Sequence, residues 1–301
     1  MKYAIETTGL NKLFGRVHAV RDLELRVETG EIFGFLGPNG SGKSTTIRLI
    51  LDELRANSGL ISVLGLDSHV DVTEVHQRTG YLPGELVVPD HMTGHEFFGF
   101  LCRLRGVTDT AVQDQLVERF DLDPTRRLGE LSTGNKQKVG LVQAFMHRPE
   151  LVLLDEPTTG LDPLVQHDFH EMLRQCKAEG MTVLLSSHTL SEVDRVADRV
   201  GILRSGMLVA VDHVSVLKGQ VRRHIEIEFE RPPRLEALAA CPGVTDLSLL
   251  DNLASFTTEG PLDSILRCAL GVGTILSIST PEPDLEEVFL EFYRRREGDN
   301  K

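Results

Sequence analysis

The chain has 301 residues and a formal net charge of -13 at pH 7, a length that buries a large core and accommodates one large domain plus a smaller one. The acid excess speaks against a partner bound through nucleic-acid phosphates, which call for a basic face, so no nucleic-acid partner is expected. No run approaches the roughly 20 apolar residues that cross a bilayer, and the opening MKYAIETTGL lacks the apolar stretch of a signal peptide, so none is expected.

Along the chain, residues 1–30 and about 59–72 alternate apolar and polar side chains (Glu24-Leu25-Arg26-Val27, Ile61-Ser62-Val63-Leu64), the pattern of a small antiparallel lobe. Residues 31–36 predict a buried strand and 43–54 a helix, joined by the Gly-rich loop GPNGSGKST. Thr93-x-x-Glu96 is a capping box before the apolar FFGFLCRL, and residues 85–148 read as a mostly helical insert. Core strands are predicted over 151–154 and 182–186. Between them lies a helix over 163–177, with Leu164, Phe169, Met172 and Leu173 at helical spacing and its end near Gly180. Thr189-x-x-Glu192 is a second capping pattern. Strands alternating with helices in this way predict an α/β domain around a largely parallel sheet.

Past Gly219 the order becomes strand (223–230), helix (234–240), two strands (244–250 and 253–258), helix (262–270) and strand (274–279), followed by a helix over 285–296. This is the order of a ferredoxin-like split unit with an appended helix. The expected division is therefore 1–218 and a small α+β domain over 219–301. The cysteines Cys102, Cys176, Cys241 and Cys268 show no C-x-x-C spacing, and reduced thiols are expected of them.

The chemistry concentrates at strand ends. In GPNGSGKST, Gly37, Gly40 and Gly42 let the backbone wrap a phosphate closely, with Pro38, Asn39, Ser41 and Thr45 completing the loop. Lys43 supplies a point charge to the β- and γ-phosphates and Ser44 a hydroxyl to Mg²⁺. The strand over 151–154 delivers Asp155, a candidate Mg²⁺ ligand, and Glu156, a candidate base for water, to the sheet end where open α/β folds bind ligands. Asp162 before Pro163 fits a helix N-cap.

Between these two motifs lies LSTGN (131–135), a Ser-x-Gly element opening a helix. With GPNGSGKST before it and LVLLDEP after it, residues 4–218 resemble the ATP-binding cassette (ABC) ATPases, P-loop NTPases with an antiparallel lobe and a helical lobe. The resemblance implies ATP and Mg²⁺ as ligands, and Ser132 and Gly134 contacting the γ-phosphate held by a second subunit. It also implies that the segment of Asp162 crosses to that subunit, that His188 contacts the γ-phosphate and helps position Glu156, and that Phe14 stacks on adenine; a core role for Phe14 and a helix-opening role for His188 stay open. The partners implied are a second cassette, in a homodimer or a heterodimer with another ABC ATPase, and a separately encoded multi-span permease. The chain would then lie on the cytoplasmic side of the cell membrane, bound through the permease. The tail PEPDLEEVFLEFY resembles that of export subunits for drugs and polysaccharides. A ribosome-acting relative usually has two cassettes and basic segments, and a DNA-repair relative has a long coiled-coil insertion; this chain has neither.

Two departures from the family pattern stand out. Thr133 and Asn135 replace the usual Gly and Gln of LSGGQ. In YLPGE (81–85) Gly84 stands where a Gln usually touches Mg²⁺ and water. If that contact is missing, Gly84→Gln is expected to raise basal hydrolysis; if the role has moved to Glu85, Glu85→Ala is expected to abolish it. The resemblance, together with Phe97, Phe98 and Phe100, suggests that a permease helix docks near residues 85–106; a role for these phenylalanines in the lobe's own core stays open.

Overall fold

The structure, a computed structural model, describes residues 2–219, 223–241, 243–258, 262–280 and 285–286. It divides into two compact units, Met1–His213 and Val214–Lys301, the break falling ahead of residue 218.

The first unit is built on a six-stranded sheet in the order Met207–His213, Arg199–Arg204, Ile32–Leu36, Thr182–Ser187, Leu151–Asp155, Thr79–Leu82. All neighbours run parallel except the first pair. The three middle strands, Ile32–Leu36, Thr182–Ser187 and Leu151–Asp155, are buried at every position, which is why they read as continuous apolar runs rather than alternating ones. Their register places Leu36 beside Ser187 and Ser186 beside Asp155. The carboxyl ends of three adjacent strands therefore open onto the phosphate loop, His188 and Glu156 respectively.

A second sheet, ordered Val17–Leu23, Tyr3–Phe14, Ser58–Val63, Leu66–Asp67 with Arg26–Glu28 attached to Tyr3–Phe14, is antiparallel throughout. Its inward residues Ile5, Leu10, Val20, Leu23 and Val27 share one core with Ile47, Leu49 and Ile50 of the helix Lys43–Ile50. That helix stops short of the expected residue 54. Asp52 turns left-handed at φ 55°, breaking the helical path.

The insert is helical as expected: Gly94–Arg105, Ala111–Arg119 and Thr133–Phe145. Thr93 and Glu96 form the reciprocal capping box. Two arginines tie this lobe to the sheet domain. Arg105 donates to the carbonyl of His76 at 3.0 Å and to His147 Nε2 at 2.9 Å, and Arg119 donates to Gln175 at 2.7 Å. His147 accepts as a neutral ring: burial, then the neighbouring Arg105 charge, push its pKa down to about 4.

In the second unit the strands Arg223–Phe229, Val244–Leu250, Leu253–Thr258 and Ile275–Ser279 form one antiparallel sheet, with Arg223–Phe229 lying between Leu253–Thr258 and Ile275–Ser279. Ile225, Ile227 and Phe229 pack on Leu238, Ile265 and Ala269 from the helices Leu235–Ala239 and Leu262–Val272. The helix expected over 285–296 lies outside the described residues save its first two. One expectation fails here. Cys241 and Cys268 form a disulfide, their Cα atoms 5.9 Å apart and 27 residues apart in sequence. Helix packing brings them together, and no local spacing could signal it. Cys102 and Cys176 are free thiols.

Candidate active site

Gly37–Thr45 wraps the N-terminus of the helix Lys43–Ile50. Gly42 caps this helix at φ 110° with no side-chain hydrogen bond, so its first N–H groups are left to an anion. A Cβ on Gly42 would lie 2.4 Å from the carbonyl oxygen of Ala19, and one on Gly37 2.5 Å from that of Leu203; the loop can close this tightly only on glycine. From the far side, Gly206 N–H donates to the carbonyl of Ser41 at 2.9 Å. The cavity so formed has a volume of about 420 Å³. It is bounded by the phosphate loop from Pro38 to Thr45, by Glu156, and by a basic rim of Arg16, His18 and Arg21 that sequence reasoning did not single out.

Lys43 is 5% exposed, its ammonium 2.7 Å from the carbonyl of Gly37 and 3.4 Å from Glu156 Oε1. Glu156 Oε2 accepts from His188 Nδ1 at 2.6 Å. Oε1 is buried with no hydrogen-bond donor, and the Glu156 backbone sits left-handed at φ 51°. A non-glycine residue held there costs on the order of 1–3 kcal/mol, a strain that concentrates at functional sites. Asp155, buried beneath, accepts from Ser186 Oγ at 2.5 Å. Glu156 Oε1, ion-paired with Lys43 but without a hydrogen bond, a hydroxyl at Ser44 and the Asp155 carboxylate are hard-oxygen groups that suit Mg²⁺ chemically. Among the described residues no His/Cys/Asp/Glu cluster forms a self-sufficient metal cage.

The remaining expected residues lie off this cavity. Phe14, 47% exposed, ends the strand Tyr3–Phe14 just before the segment that lines it, with the Lys12 ammonium 5.1 Å from the ring centre. Ser132 caps the helix Thr133–Phe145 by accepting from Asn135 N–H at 3.3 Å, and Asp162 caps Pro163–Ala178 through Leu164 and Val165 N–H, both at 3.1 Å. Gly134 and Gly160 are in close contact: a Cβ on Gly134 would lie 2.6 Å from the Gly160 carbonyl oxygen. Ser132, Gly134 and Asp162 thus share one surface beside the site. Gln137, another residue the sequence did not flag, donates to the carbonyl of Pro157 at 2.9 Å and so ties this helix to the loop after Glu156.

Gly84 runs against Asp155, where a Cβ would come within 3.1 Å of Oδ2, while Glu85 is exposed. The contact bears on the effect expected of Gly84→Gln. Asp155 is buried and its Oδ1 accepts from Ser186, so a side chain at position 84 must displace a held carboxylate by a few tenths of an ångström, and we predict that this substitution lowers basal hydrolysis while Glu85→Ala leaves it unchanged. Steady-state phosphate release from both variants checks this. Faster release by Gly84→Gln would mean that the loop yields and that a missing contact had been restored.

A phosphate loop, an acidic strand end and a histidine held against its glutamate, at adjacent strand ends, define an ATP-hydrolysing P-loop domain. The ABC transporter family profile matches residues 20–159. The chain is similar to the bacitracin transport ATP-binding protein BcrA of Bacillus licheniformis, at 34% identity over 76% of each chain. It is also similar to the linearmycin resistance ATP-binding protein LnrL of Bacillus subtilis, at 30% identity over 97% of this chain and 98% of that one. Among solved structures, the ATP-binding subunit of an ABC transporter superposes with a TM-score of 0.67 at 30% identity, covering 72% of this chain and 92% of its own. The chain belongs to the ABC transporter family and is an ATP-binding, ATP-hydrolysing subunit.

Proposed function

We propose that two copies of this chain, or one copy and a second cassette, close on two ATP molecules and drive a separately encoded permease from the cytoplasmic face of the membrane. The observation that carries this reading is the separation of Ser132 and Gly134 from the cavity that holds Lys43 and Glu156. A site whose γ-phosphate donors stand on another surface is completed by a second subunit. In it the phosphate-loop N–H groups and Lys43 bind the β- and γ-phosphates, and Glu156 orients and deprotonates the attacking water. His188 holds Glu156 through Nδ1; to donate to a phosphate oxygen from Nε2 as well, the ring must carry both protons. Phe14 offers a ring face to adenine. Mg²⁺ bound by Ser44 and Asp155 would neutralise phosphate charge. Residues 1–218 act as the cassette and 219–301 as an accessory domain.

Among the described residues no helix is long and apolar enough to cross a membrane, which agrees with a separate permease. Relatives named for bacitracin transport and linearmycin resistance support export of an antibiotic-like cargo. For docking, Phe97 and Phe98 are lobe core at 7% and 0% exposure, so only part of the expected aromatic patch is free. Val87 (85% exposed), Phe100 (44%) and Leu104 (71%) remain as the apolar surface for a permease helix. A photo-crosslinker at Leu104 in the co-purified complex is expected to capture the permease. Capture exclusively from positions in the C-terminal unit would refute this docking site.

A further inference from the structure

We propose that Glu192 is a positioning residue that locks the loop following Glu156 to the strand end carrying His188. Its carboxylate has two acceptor oxygens, and each takes a hydroxyl from a different segment. Oε1 accepts from Thr158 Oγ1, and Oε2 accepts from Ser187 Oγ at 3.0 Å. Thr158 and Ser187 are 5% and 0% exposed, so water replaces neither contact, although Ser187 Oγ has a second, longer acceptor in the Thr189 carbonyl at 3.3 Å. Glu192 fits the capping pattern Thr189-x-x-Glu192, yet the Thr189 side chain caps nothing and the glutamate is diverted to these two partners.

The placement bears directly on the site. Thr158 lies two residues after Glu156, and Ser187 immediately precedes His188, so the 2.6 Å contact between Glu156 and His188 is closed by two backbone segments that Glu192 joins. Thr158 also opens the segment that leads through Gly160, packed on Gly134, to Asp162. Gln137 holds the same loop from the opposite side through the Pro157 carbonyl. A shift of His188 is therefore carried through Glu192 into the surface formed by Ser132, Gly134 and Asp162. This role rests on Glu156 and His188 being the hydrolytic pair.

The test uses the full-length chain, with ATP binding measured by equilibrium filter binding and turnover by phosphate release. Glu192→Ala is expected to retain ATP affinity while kcat falls on the order of 10²-fold, as for misplacement of a positioned group. Glu192→Gln is expected to recover most of that loss, since an amide can accept one hydroxyl hydrogen and donate to the other hydroxyl. Glu192→Asp, one methylene shorter, should not span both partners. Thr158→Val should lower kcat as well, and the double variant with Glu192→Ala should be no slower than Glu192→Ala alone, because both remove the same link. Wild-type kcat in Glu192→Ala, a parallel loss of ATP affinity, or a multiplicative loss in the double variant would each overturn the proposal. Glu156→Gln, run alongside, separates the two failures: if it hydrolyses ATP normally, the hydrolytic pair itself is misassigned.

Discussion

Glu156→Gln is expected to lower kcat by about 10²–10⁴-fold, the range for loss of a general base, while ATP binding persists. The amide keeps the shape of the side chain, and its oxygen can still accept from His188 Nδ1, now 2.6 Å from the carboxylate. What disappears is the negative charge and the affinity for the proton of water. Lys43 retains the Gly37 carbonyl as a partner at 2.7 Å, so the phosphate cradle stays assembled. With binding intact and hydrolysis stopped, the ATP-closed dimer should accumulate. Phosphate release and size-exclusion chromatography with ATP and Mg²⁺ check the two halves of this result. A variant as active as the parent would remove Glu156 from the reaction.

Ser132→Arg is expected to leave ATP binding to the isolated chain near normal and to abolish ATP-driven association. Ser132 is exposed and lines no part of the cavity around Lys43, so a long side chain there does not reach the chain's own nucleotide. It would instead stand where a second subunit brings its γ-phosphate. The substitution also removes the cap on the helix Thr133–Phe145, a loss of about 1 kcal/mol in stability. Thermal unfolding of the variant measures that cost separately from association. If ATP affinity of the single chain collapses, LSTGN serves the same chain's pocket and the two-subunit site is wrong.

Much of this was legible because the determining signals are local. Gly37 to Thr45 form one unbroken run and Asp155 and Glu156 another, and the strands that lead into them are buried on both faces, which leaves a continuous apolar run. The capping box at Thr93 and the helix start at Asp162 and Pro163 were equally local. Residues that act across strands were not legible. Ser186 reaches Asp155 over 31 residues, Glu192 reaches Thr158 over 34, and Gln137 reaches Pro157 over 20. Each is an ordinary polar residue in its own segment, and only the packing of distant segments gives it a partner. The disulfide escapes the sequence for the same reason, and so does the approach of Gly84 to Asp155.

The left-handed backbone at Glu156 sets stability against the role proposed for that residue as the base. Glycine or asparagine adopts that conformation more readily than glutamate does. Selection of variants for heat resistance alone would therefore tend to erase the glutamate, yielding a sturdier protein that binds nucleotide and does no work. A thermostabilised version of this subunit has to be sought elsewhere in the fold, under a screen that scores turnover together with melting temperature.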